Sequence, residues 1–404
     1  MNCIERQTVL VTGGAGFIGS HLVCSLALRF PHWRIINVDK LQYCSSLKNL
    51  SSVEDSSSYT FLQGDVCDAL FIDGLFRREK IHVVFHCAAE THVALHFNSL
   101  GFFLSQLFLM HLSAERSFST PLHFMQVNVE GTRVLVRAAL QAGVQRFIYI
   151  STDEVYGESL QQAFHESCPK RPTNPYSRSK AAAESVVMSF WRKHQFPALI
   201  TRSSNVYGPR QHHEKVWEHQ LPAASPLELR ASVTIQGSGL QSRHFLFVSD
   251  VVEGFLTVLQ KGIVGQVYNI GSSFEIPILQ LAQDLVPMVL GSSPEAPDDW
   301  VEFVEDRPVL ELRYPLDSGK LQSLGWRPRV SWSEGIRRTG KAEHDHTVVR
   351  GEPSLLAIEQ RELAGAPGIH SLSVNRGMLQ ICWIKLQQKN VWSKILIFRT
   401  GALL

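Results

Sequence analysis

The residues best suited to chemistry in this chain lie in two neighbouring segments. Thr152, Asp153 and Glu154 are consecutive, while Tyr176 and Lys180 stand four residues apart in a stretch with helical periodicity. Side chains at this spacing project from one face of a helix, so we expect the phenol and the ammonium group to share a site. A hydroxyl, two carboxyl groups, a phenol and an ammonium group are the components of an enzyme that moves protons.

A glycine-rich turn near the amino terminus indicates a dinucleotide site. Residues 9–19 have the pattern of a strand, a G-x-x-G-x-x-G turn and the start of a helix. Such glycines permit a tight turn and close approach to a pyrophosphate, whose charge the helix N-terminus stabilises. Asp39 ends the second predicted strand, where a carboxylate binds ribose hydroxyls and repels the 2'-phosphate of NADP. The pattern therefore predicts NAD, and Lys40 beside Asp39 leaves NADP open as the alternative.

The predicted cofactor contacts lie on the turn, at the ends of the following strands and on the Tyr-Lys pair. They are Gly13, Gly16, Phe17, Ile18, Gly19, Asp39, Lys40, Asp65, Val66, Ala88, Ala89, Tyr176 and Lys180.

Tyr176 is the candidate base for a hydroxyl proton. A phenol ionises near pH 10 in water, but a nearby ammonium group and a positively charged nicotinamide favour the phenolate. We therefore expect Tyr176 to take a hydroxyl proton while a hydride leaves for NAD. Thr152 follows the fifth predicted strand, so its hydroxyl could bond to the same substrate oxygen.

The adjacent carboxyl groups of Asp153 and Glu154 distinguish between reaction types. Hydride transfer alone gives no role to two carboxyl groups, whereas an elimination needs a base for a carbon-bound proton and an acid for the leaving hydroxyl. If their surroundings separate the two pKa values, one group can be ionised while the other stays protonated. The alternative is that both are solvated loop carboxylates or cap a following turn.

Apolar runs of strand length alternate with helical segments through the first half of the chain, which predicts a doubly wound α/β parallel sheet, the Rossmann arrangement. The predicted strands are Val9–Val11, Ile35–Val38, Tyr59–Leu62, Val83–His86, Phe147–Ile150 and Leu199–Thr201, and the predicted helices are Phe17–Phe30, Asp68–Arg78, Gln126–Ala142, Tyr176–His194 and Asp250–Leu259.

The pattern changes beyond this sheet. We predict an NAD-binding domain over residues 1–205 and a smaller substrate-binding lobe over 206–340, with some segments returning to the sheet. Within the lobe, short strands are expected near Val233–Ile235 and Phe245–Val248, and a helix near Ile278–Leu290. The aromatic stretch 94–126 has neither helical nor strand periodicity. The tail 341–404 is an atypical segment in which disorder, a weak helix and an added strand remain open.

Composition excludes several classes of function. Lys and Arg total 39 against 37 Asp and Glu, which gives no basis for binding nucleic acid or an anionic membrane surface. No signal peptide or membrane span is expected, because residues 102–112 are too short and are interrupted by polar side chains. Seven scattered cysteines without C-x-x-C spacing indicate reduced thiols in a cytoplasmic protein and no metal site.

The motifs together resemble the extended short-chain dehydrogenase/reductase family and, within it, the nucleotide-sugar 4,6-dehydratases. The resemblance rests on VTGGAGFIGSH, NVDKL, QGDVCD, HCAAETHV, STDEVYG, NPYSRSK, TRSSNVYGP, YNIG and DRP. It covers about residues 8–91, 127–215 and 237–339. STDEVYG together with NPYxxSK is typical of the 4,6-dehydratases specifically.

The resemblance implies dehydration of a nucleotide-activated hexose, with dTDP-glucose favoured, to a 4-keto-6-deoxy sugar. Tyr176 would deprotonate the sugar 4-hydroxyl, Glu154 would remove the C5 proton, and Asp153 would protonate the departing 6-hydroxyl. The implied substrate contacts are Thr91, Thr152, Asn205, Arg243 and Arg307. Family members also commonly dimerise through the two helices that correspond to residues 126–142 and 176–194.

Three segments depart from the family pattern. His92-Val93 continues into the atypical stretch, residues 216–226 contain two prolines where a helix is expected, and Val309-Leu310 replaces a Gly-His pair after Arg307-Pro308. These departures leave two alternatives open. One is an NAD-binding protein with impaired or no turnover, and the other is an NAD-dependent epimerase or decarboxylase of the same fold.

Overall fold

A seven-stranded parallel sheet forms the centre of the molecule in the computed structural model. The structure describes residues 6–42, 44–91, 115–211, 233–290, 301–304, 312–349, 382–385 and 392–396. The strand order is β10-β6-β5-β4-β1-β2-β3. Strands β2 and β3 lie on one side of β1, and β4 and the later strands lie on the other side, so the strand order reverses between β1 and β4. In a doubly wound sheet a ligand crevice forms at such a reversal, beyond the carboxyl ends of the strands.

The described strands are β1 (Thr8–Thr12), β2 (Arg34–Asp39), β3 (Tyr59–Gln63), β4 (Val83–His86), β5 (Arg146–Thr152), β6 (Ala198–Ser203), β7 (Asn205–Tyr207), β8 (Val233–Gln236), β9 (Ser242–Phe247), β10 (Val267–Ile270), β11 (Glu275–Pro277), β12 (Val301–Val304), β13 (Cys382–Lys385) and β14 (Trp392–Leu396). The described α-helices are α1 (Phe17–Arg29), α2 (Ala69–Arg78), α3 (Glu115–Ser119), α4 (Pro121–Met125), α5 (Gly131–Gln141), α6 (Pro175–His194), α7 (Val248–Lys261), α8 (Ile278–Leu290), α9 (Gly319–Ser323) and α10 (Trp332–Val349).

Helices cover both faces of the sheet, as the continuous apolar strands predict. On one face the core joins α1 to α7 through Leu22, Leu26, Phe255 and Leu259. On the other face it joins α2, α5 and α6, and includes Leu75, Leu135, Ala183 and Val187. The Rossmann arrangement predicted from the sequence is confirmed.

A smaller set of elements follows β6. Strands β7, β9 and β11 form a three-stranded sheet, and β8 pairs with β12. Tyr207, Phe245, Phe247 and Ile276 form their core together with residues of α8 and α10. Strand β10 leaves this region and joins the edge of the large sheet beside β6.

Regular structure is also present in the tail, for which the sequence analysis left disorder, a weak helix and an added strand open. Helix α10 continues through Gly340 to Val349, and β13 pairs with β14 in an antiparallel ladder. The predicted helix from Gln126 also begins differently, because Gln126–Glu130 form a π-helical turn before α5 starts at Gly131.

Candidate active site

One cavity of about 330 Å³ lies at the carboxyl ends of β1, β2, β4 and β5, beside the reversal in strand order. Its lining includes all but two of the residues that the sequence predicted: Gly13, Gly16, Phe17, Ile18, Gly19, Asp39, Lys40, Asp65, Val66, Ala88, Ala89, Thr91, Thr152, Asp153, Glu154, Tyr176, Lys180 and Asn205.

The glycine turn has the geometry that a dinucleotide requires. Gly13 has a φ of 73°, and a Cβ atom there would lie 2.7 Å from the backbone nitrogen of Ala88. A Cβ at Gly19 would overlap the carbonyl oxygen of Gly13, whereas Gly16 is comparatively open. Gly16 caps α1 without a side-chain hydrogen bond, so the N–H groups of the first turn are left for a ligand. The residues present therefore fit a pyrophosphate at this helix terminus.

Asp39 and Lys40 favour NAD over NADP. The Asp39 carboxylate accepts hydrogen bonds from the backbone of Ala15 at 2.9 Å and of Leu41 at 2.8 Å, which fixes it at the cavity wall. Lys40 turns to Asp65, with 2.6 Å between Nζ and Oδ2, and this pairing raises the lysine pKa. Because Asp65 already partly neutralises Lys40, the negative charge of Asp39 dominates where a 2'-phosphate would lie.

The acidic pair follows β5 in a tight turn. Thr152 ends the strand and caps a 3-10 turn, where its hydroxyl accepts from the backbone N–H of Glu154 at 3.3 Å and donates to Asp153 at 3.1 Å. Asp153 is only 2% exposed, and its other carboxyl oxygen has no hydrogen-bond partner among the described residues. Burial, followed by the charge of Glu154, raises the Asp153 pKa well above its usual value. Asp153 therefore keeps its proton.

Glu154 lies in a different environment. Its Oε2 accepts a hydrogen bond from the side chain of Asn174 at 2.9 Å. Asn174 is also the N-cap of α6, since its Oδ1 accepts from the backbone of Ser177 at 2.8 Å in a capping box, with Pro175 next in the chain. One side chain thus starts the helix that carries Tyr176 and also orients Glu154.

Tyr176 and Lys180 lie on the buried face of α6. Lys180 donates to the carbonyl oxygen of Ile150 at 2.6 Å and lies over the ring of Tyr149, 4.5 Å from its centroid. Burial lowers the Lys180 pKa to about 8, although Glu184 opposes this effect.

In the chain without ligand, the surroundings of Tyr176 favour the neutral phenol. Burial, and after it the charge of Glu154, raise the pKa of Tyr176 well above that of a phenol in water. The sequence suggested a nearby ammonium group, but it did not show how completely the ring is buried or that two carboxyl groups face it. Tyr176 therefore holds its proton until further positive charge reaches the site.

Of the predicted substrate residues that the structure describes, Arg243 lies outside the cavity lining. Arg243 is 3% exposed, so it is a buried cation and not a surface charge. It donates to the carbonyl of Ser242 at 2.7 Å, stacks 4.4 Å from the Tyr314 ring centroid, and its charge acts on Asp153. Arg307 lies outside the described residues. Asn205 lines the cavity and donates weakly to the backbone of His244, at 3.4 Å.

A buried hydrogen-bond chain behind the cavity was not found from the sequence. The Thr12 hydroxyl lies 2.8 Å from His86 Nδ1, and His86 Nε2 lies 2.9 Å from the Thr132 hydroxyl, which donates to the carbonyl of Asn128. Because Thr132 donates onward, His86 must donate from Nε2, and burial lowers the His86 pKa to about 3. The chain ties the strand before the glycine turn to the start of α5.

Asn128 continues this chain toward the catalytic helix. Its side chain holds the backbone N–H and carbonyl of Glu90, at 2.7 and 3.0 Å, and donates to the hydroxyl of Ser179 at 2.9 Å. Ser179 in turn donates to the carbonyl of Tyr176. A histidine that ends an apolar strand gives no sequence signal for such a role.

Comparison with known proteins gives the family. The model of the NAD dependent epimerase/dehydratase family matches residues 107–271, and that of GDP-mannose 4,6 dehydratase matches residues 10–103. The dTDP-D-glucose 4,6-dehydratase of Mus musculus is 51% identical over 334 residues, which are 82% of this chain and 87% of the mouse protein. The chain belongs to the NAD-dependent epimerase/dehydratase family. The protein of the same description from Homo sapiens is 50% identical, over 82% of this chain and 89% of the human one.

Solved structures of family members have the same fold. The dTDP-glucose 4,6-dehydratase DesIV from Streptomyces venezuelae, crystallised with NAD and TYD bound, superposes with a TM-score of 0.71 at 32% identity. The match covers 85% of this chain and 98% of DesIV. Together with the dinucleotide turn, these matches identify NAD as the cofactor.

The atypical stretch is shorter than the sequence indicated. Helices α3 and α4 occupy residues 115–119 and 121–125, where we expected no regular structure. Ser117 and Phe124 are completely buried, and the Phe124 ring meets the Tyr176 ring edge-on with centroids 6.3 Å apart. His123 also lies 3.2 Å from the carboxylate of Glu90. Regular structure that packs against Tyr176 is therefore present before Gln126. The family match likewise begins before this residue, at residue 107.

The remaining departures cannot be compared with the structure, because residues 216–226 and 307–311 lie outside the described part of the chain. Among the helices that the structure does describe, none combines the length and hydrophobicity of a membrane span.

Proposed function

We propose that this chain dehydrates a nucleotide-activated hexose, with dTDP-glucose as the favoured substrate, to the 4-keto-6-deoxy sugar. The close relatives of the chain are dTDP-D-glucose 4,6-dehydratases. The observation that carries the proposal is the buried Asp153, whose raised pKa favours its protonated form, next to Glu154 in the cavity that also holds Tyr176 and the dinucleotide turn. An acid and a base side by side at this position serve an elimination.

Each catalytic side chain has an assigned role. Bound NAD supplies a reversible oxidation, by accepting a hydride from C4 and returning one to C6. Tyr176 takes the proton of the 4-hydroxyl, and the Thr152 hydroxyl bonds to the same oxygen. The 4-ketone acidifies the proton at C5, which Glu154 removes and returns to C5 once C6 has been reduced. Asp153 gives its proton to the 6-hydroxyl, which leaves as water. Lys180 supports the charge on Tyr176.

The binding residues are assigned on the same basis. The glycine turn with Phe17, Ile18, Val66, Ala88 and Ala89 would enclose NAD, and Asp39 would bind its ribose. Thr91, Asn205 and Arg243 would contact the substrate, together with Arg307, since arginine suits a diphosphate. The charge of the buried Arg243 also lowers the pKa of Asp153, so Arg243 would both contact the substrate and act on the catalytic acid.

The test is direct. The purified chain is incubated with dTDP-glucose and with NAD, and the product is measured by the absorbance of a 4-keto sugar in alkali. The proposal requires product from the wild type and none from Glu154→Gln, with hydride transfer to NAD preserved in the variant. A Glu154→Gln protein that keeps its full activity on a nucleotide sugar would point to an epimerase or decarboxylase.

A second candidate is an NAD-binding protein without turnover. It is favoured by the departures at residues 94–114 and 216–226 and by the missing histidine after Arg307-Pro308. Retention of NAD with no product from any of dTDP-, UDP- or GDP-glucose would support it. The thermal midpoint with and without NAD separates a folded, cofactor-binding chain from one that has lost both properties.

Three further assignments belong to this proposal. The first is a cytoplasmic location, supported by five cysteines that stand as free thiols among the described residues. The second is a homodimer formed through residues 126–142 and 176–194. The third is a division into an NAD-binding domain over 1–205, a substrate lobe over 206–340 and a separate tail over 341–404.

A further inference from the structure

A buried ion cluster lies one helical turn beyond the Tyr-Lys pair. Tyr176, Lys180 and Glu184 follow one another at intervals of four residues along α6, so they share its inner face. All three are buried, and Glu184 is only 1% exposed. Two of the three are assigned to the reaction, and Glu184 has no role in it so far.

Glu184 is held on its far side by two cations. Arg202, from β6, donates to both of its carboxylate oxygens, at 2.9 and 2.6 Å. Lys170 donates to Oε2 at 3.1 Å and also to the carbonyl of Ala181. Burial raises the pKa of Glu184, but the hydrogen bonds and charge of Arg202, with the charge of Lys170, outweigh it and bring the pKa below its usual value. Glu184 is therefore ionised.

The charge of Glu184 raises the pKa of Lys180. The other titratable groups around Lys180 are neutral, because burial lowers the pKa of His86 to about 3 and raises those of Cys87, to about 12, and Tyr149. Of the groups that face Lys180 from α6, β4 and β5, Glu184 thus carries the negative charge at neutral pH. Arg202 acts on this carboxylate, whereas the charge that acts on Lys180 at neutral pH is that of Glu184.

A buried ion cluster needs a reason beyond stability. Desolvation of the ions offsets most of their attraction, so packed apolar side chains often stabilise a fold as well. Here Glu184 opposes the effect of burial on the pKa of Lys180, the residue to which the proposed function assigns support of the Tyr176 phenolate. Tyr176 needs this support because burial, and after it the charge of Glu154, disfavour its phenolate.

We propose that Glu184, held by Arg202, is a positioning residue for the reaction, whose carboxylate keeps the Lys180 ammonium group charged on the face of α6 that also carries Tyr176. The residue touches neither substrate nor cofactor, and it acts through Lys180. The inference rests on the proposed function for its catalytic meaning, but the charge state of Lys180 can be measured without turnover.

The first measurement uses the chain without substrate or cofactor. The protein is isotope-labelled at the lysine Cε atoms, the Lys180 signal is assigned by its loss in Lys180→Arg, and its titration is followed by NMR. We expect a midpoint of about 8 in the wild type and one lower by about one pH unit or more in Glu184→Gln. Glu334→Gln is the matched control, because Glu334 also pairs with two arginines but lies at the surface on α10.

A double variant covers the case in which Glu184→Gln does not fold. Glu184→Gln leaves Arg202 as a buried cation without its partner, whereas Glu184→Gln with Arg202→Met removes both charges. The Lys180 midpoint should fall in the double variant as well, because Arg202 does not act on it directly. A midpoint within about 0.3 units of the wild type in either folded variant would overturn the proposal.

The second measurement connects the cluster to catalysis. In Glu184→Gln we expect the alkaline limb of the kcat profile to move to lower pH by the same amount, with KM and the NAD Kd within about twofold of the wild type. Glu184→Asp, which keeps the charge, should restore the limb toward its original position. An equal loss of kcat at every pH would mean a merely structural role. A wild type without turnover would refute the proposed function, while the titration would still decide the role of Glu184.

Discussion

Replacing Asp153 by Asn should make the protein inactive and, at neutral pH, more stable. Asp153 is 2% exposed, and burial together with Glu154 raises its pKa well above 3.8. In the unfolded chain the same carboxyl group ionises near pH 3.9. Above that pH, folding must therefore return a proton to Asp153, and this costs free energy that a neutral amide does not incur.

The magnitude follows from proton linkage. A group whose pKa is raised on folding contributes stability that is complete below the unfolded pKa and is lost as the pH rises toward the folded pKa. The loss is about 1.4 kcal/mol for each pH unit in this window. The free energy of unfolding of Asp153→Asn, measured relative to that of the wild type, should thus increase by about 1.4 kcal/mol per pH unit above about pH 4. The increase should end where the pH reaches the folded-state pKa of Asp153.

Urea unfolding of both proteins at intervals of one pH unit between about pH 4 and pH 7 measures this difference. Asp55→Asn, which removes an exposed carboxyl group from a turn, controls for the general loss of a charge. Dehydration should fall by about 10²–10⁴-fold in Asp153→Asn, because the leaving hydroxyl loses its proton donor. A difference in unfolding free energy that does not change with pH would show that Asp153 is ionised in the folded chain, and the assignment of Asp153 as the acid would be refuted.

Three further outcomes are expected. Gly19→Ala should weaken NAD binding, measured by calorimetry, at least about 100-fold, because its Cβ would overlap the glycine turn. Gly74→Ala on α2 is the control, and it should leave the NAD Kd unchanged because a Cβ there meets nothing closer than 3.5 Å. Asp65→Asn should release Lys40 and lower the NAD-to-NADP ratio of affinities by about tenfold, and an unchanged ratio would mean that the ion pair has no part in selectivity. Tyr176→Phe should lose about 10²–10⁴-fold in kcat and keep its NAD Kd, and turnover close to wild type would exclude Tyr176 as the base.

The large sheet could be predicted from the sequence because its strands are buried on both faces. The predicted Val9–Val11 lies within β1, and the predicted helix Tyr176–His194 begins one residue after the true start of α6 at Pro175. The error is small because the Asn174 cap and Pro175 mark the helix start in the sequence itself. Continuous apolar runs and helix caps are local signals, and they can be recognised without knowledge of the fold.

The states of the catalytic groups could not be predicted in the same way. Each depends on burial by residues that are distant in the chain. Tyr176 is covered by Phe124, which lies in a stretch that has no periodicity, and Lys180 is tuned by a carboxylate that β6 fixes in place through Arg202. A sequence motif names the side chains of a site, but the surrounding fold sets their pKa values.

One of the two carboxyl groups that an elimination requires also makes its first step harder. Burial, and after it the charge of Glu154, hold the proton on the Tyr176 phenol in the chain without ligand. Positive charge must balance them, and the chain supplies it through Lys180, which burial alone would push toward the neutral amine. Glu184 opposes that loss and is itself kept ionised by a buried Arg202. The charges of Arg202, Glu184 and Lys180 thus alternate in sign, and each of the first two favours the charged form of the next.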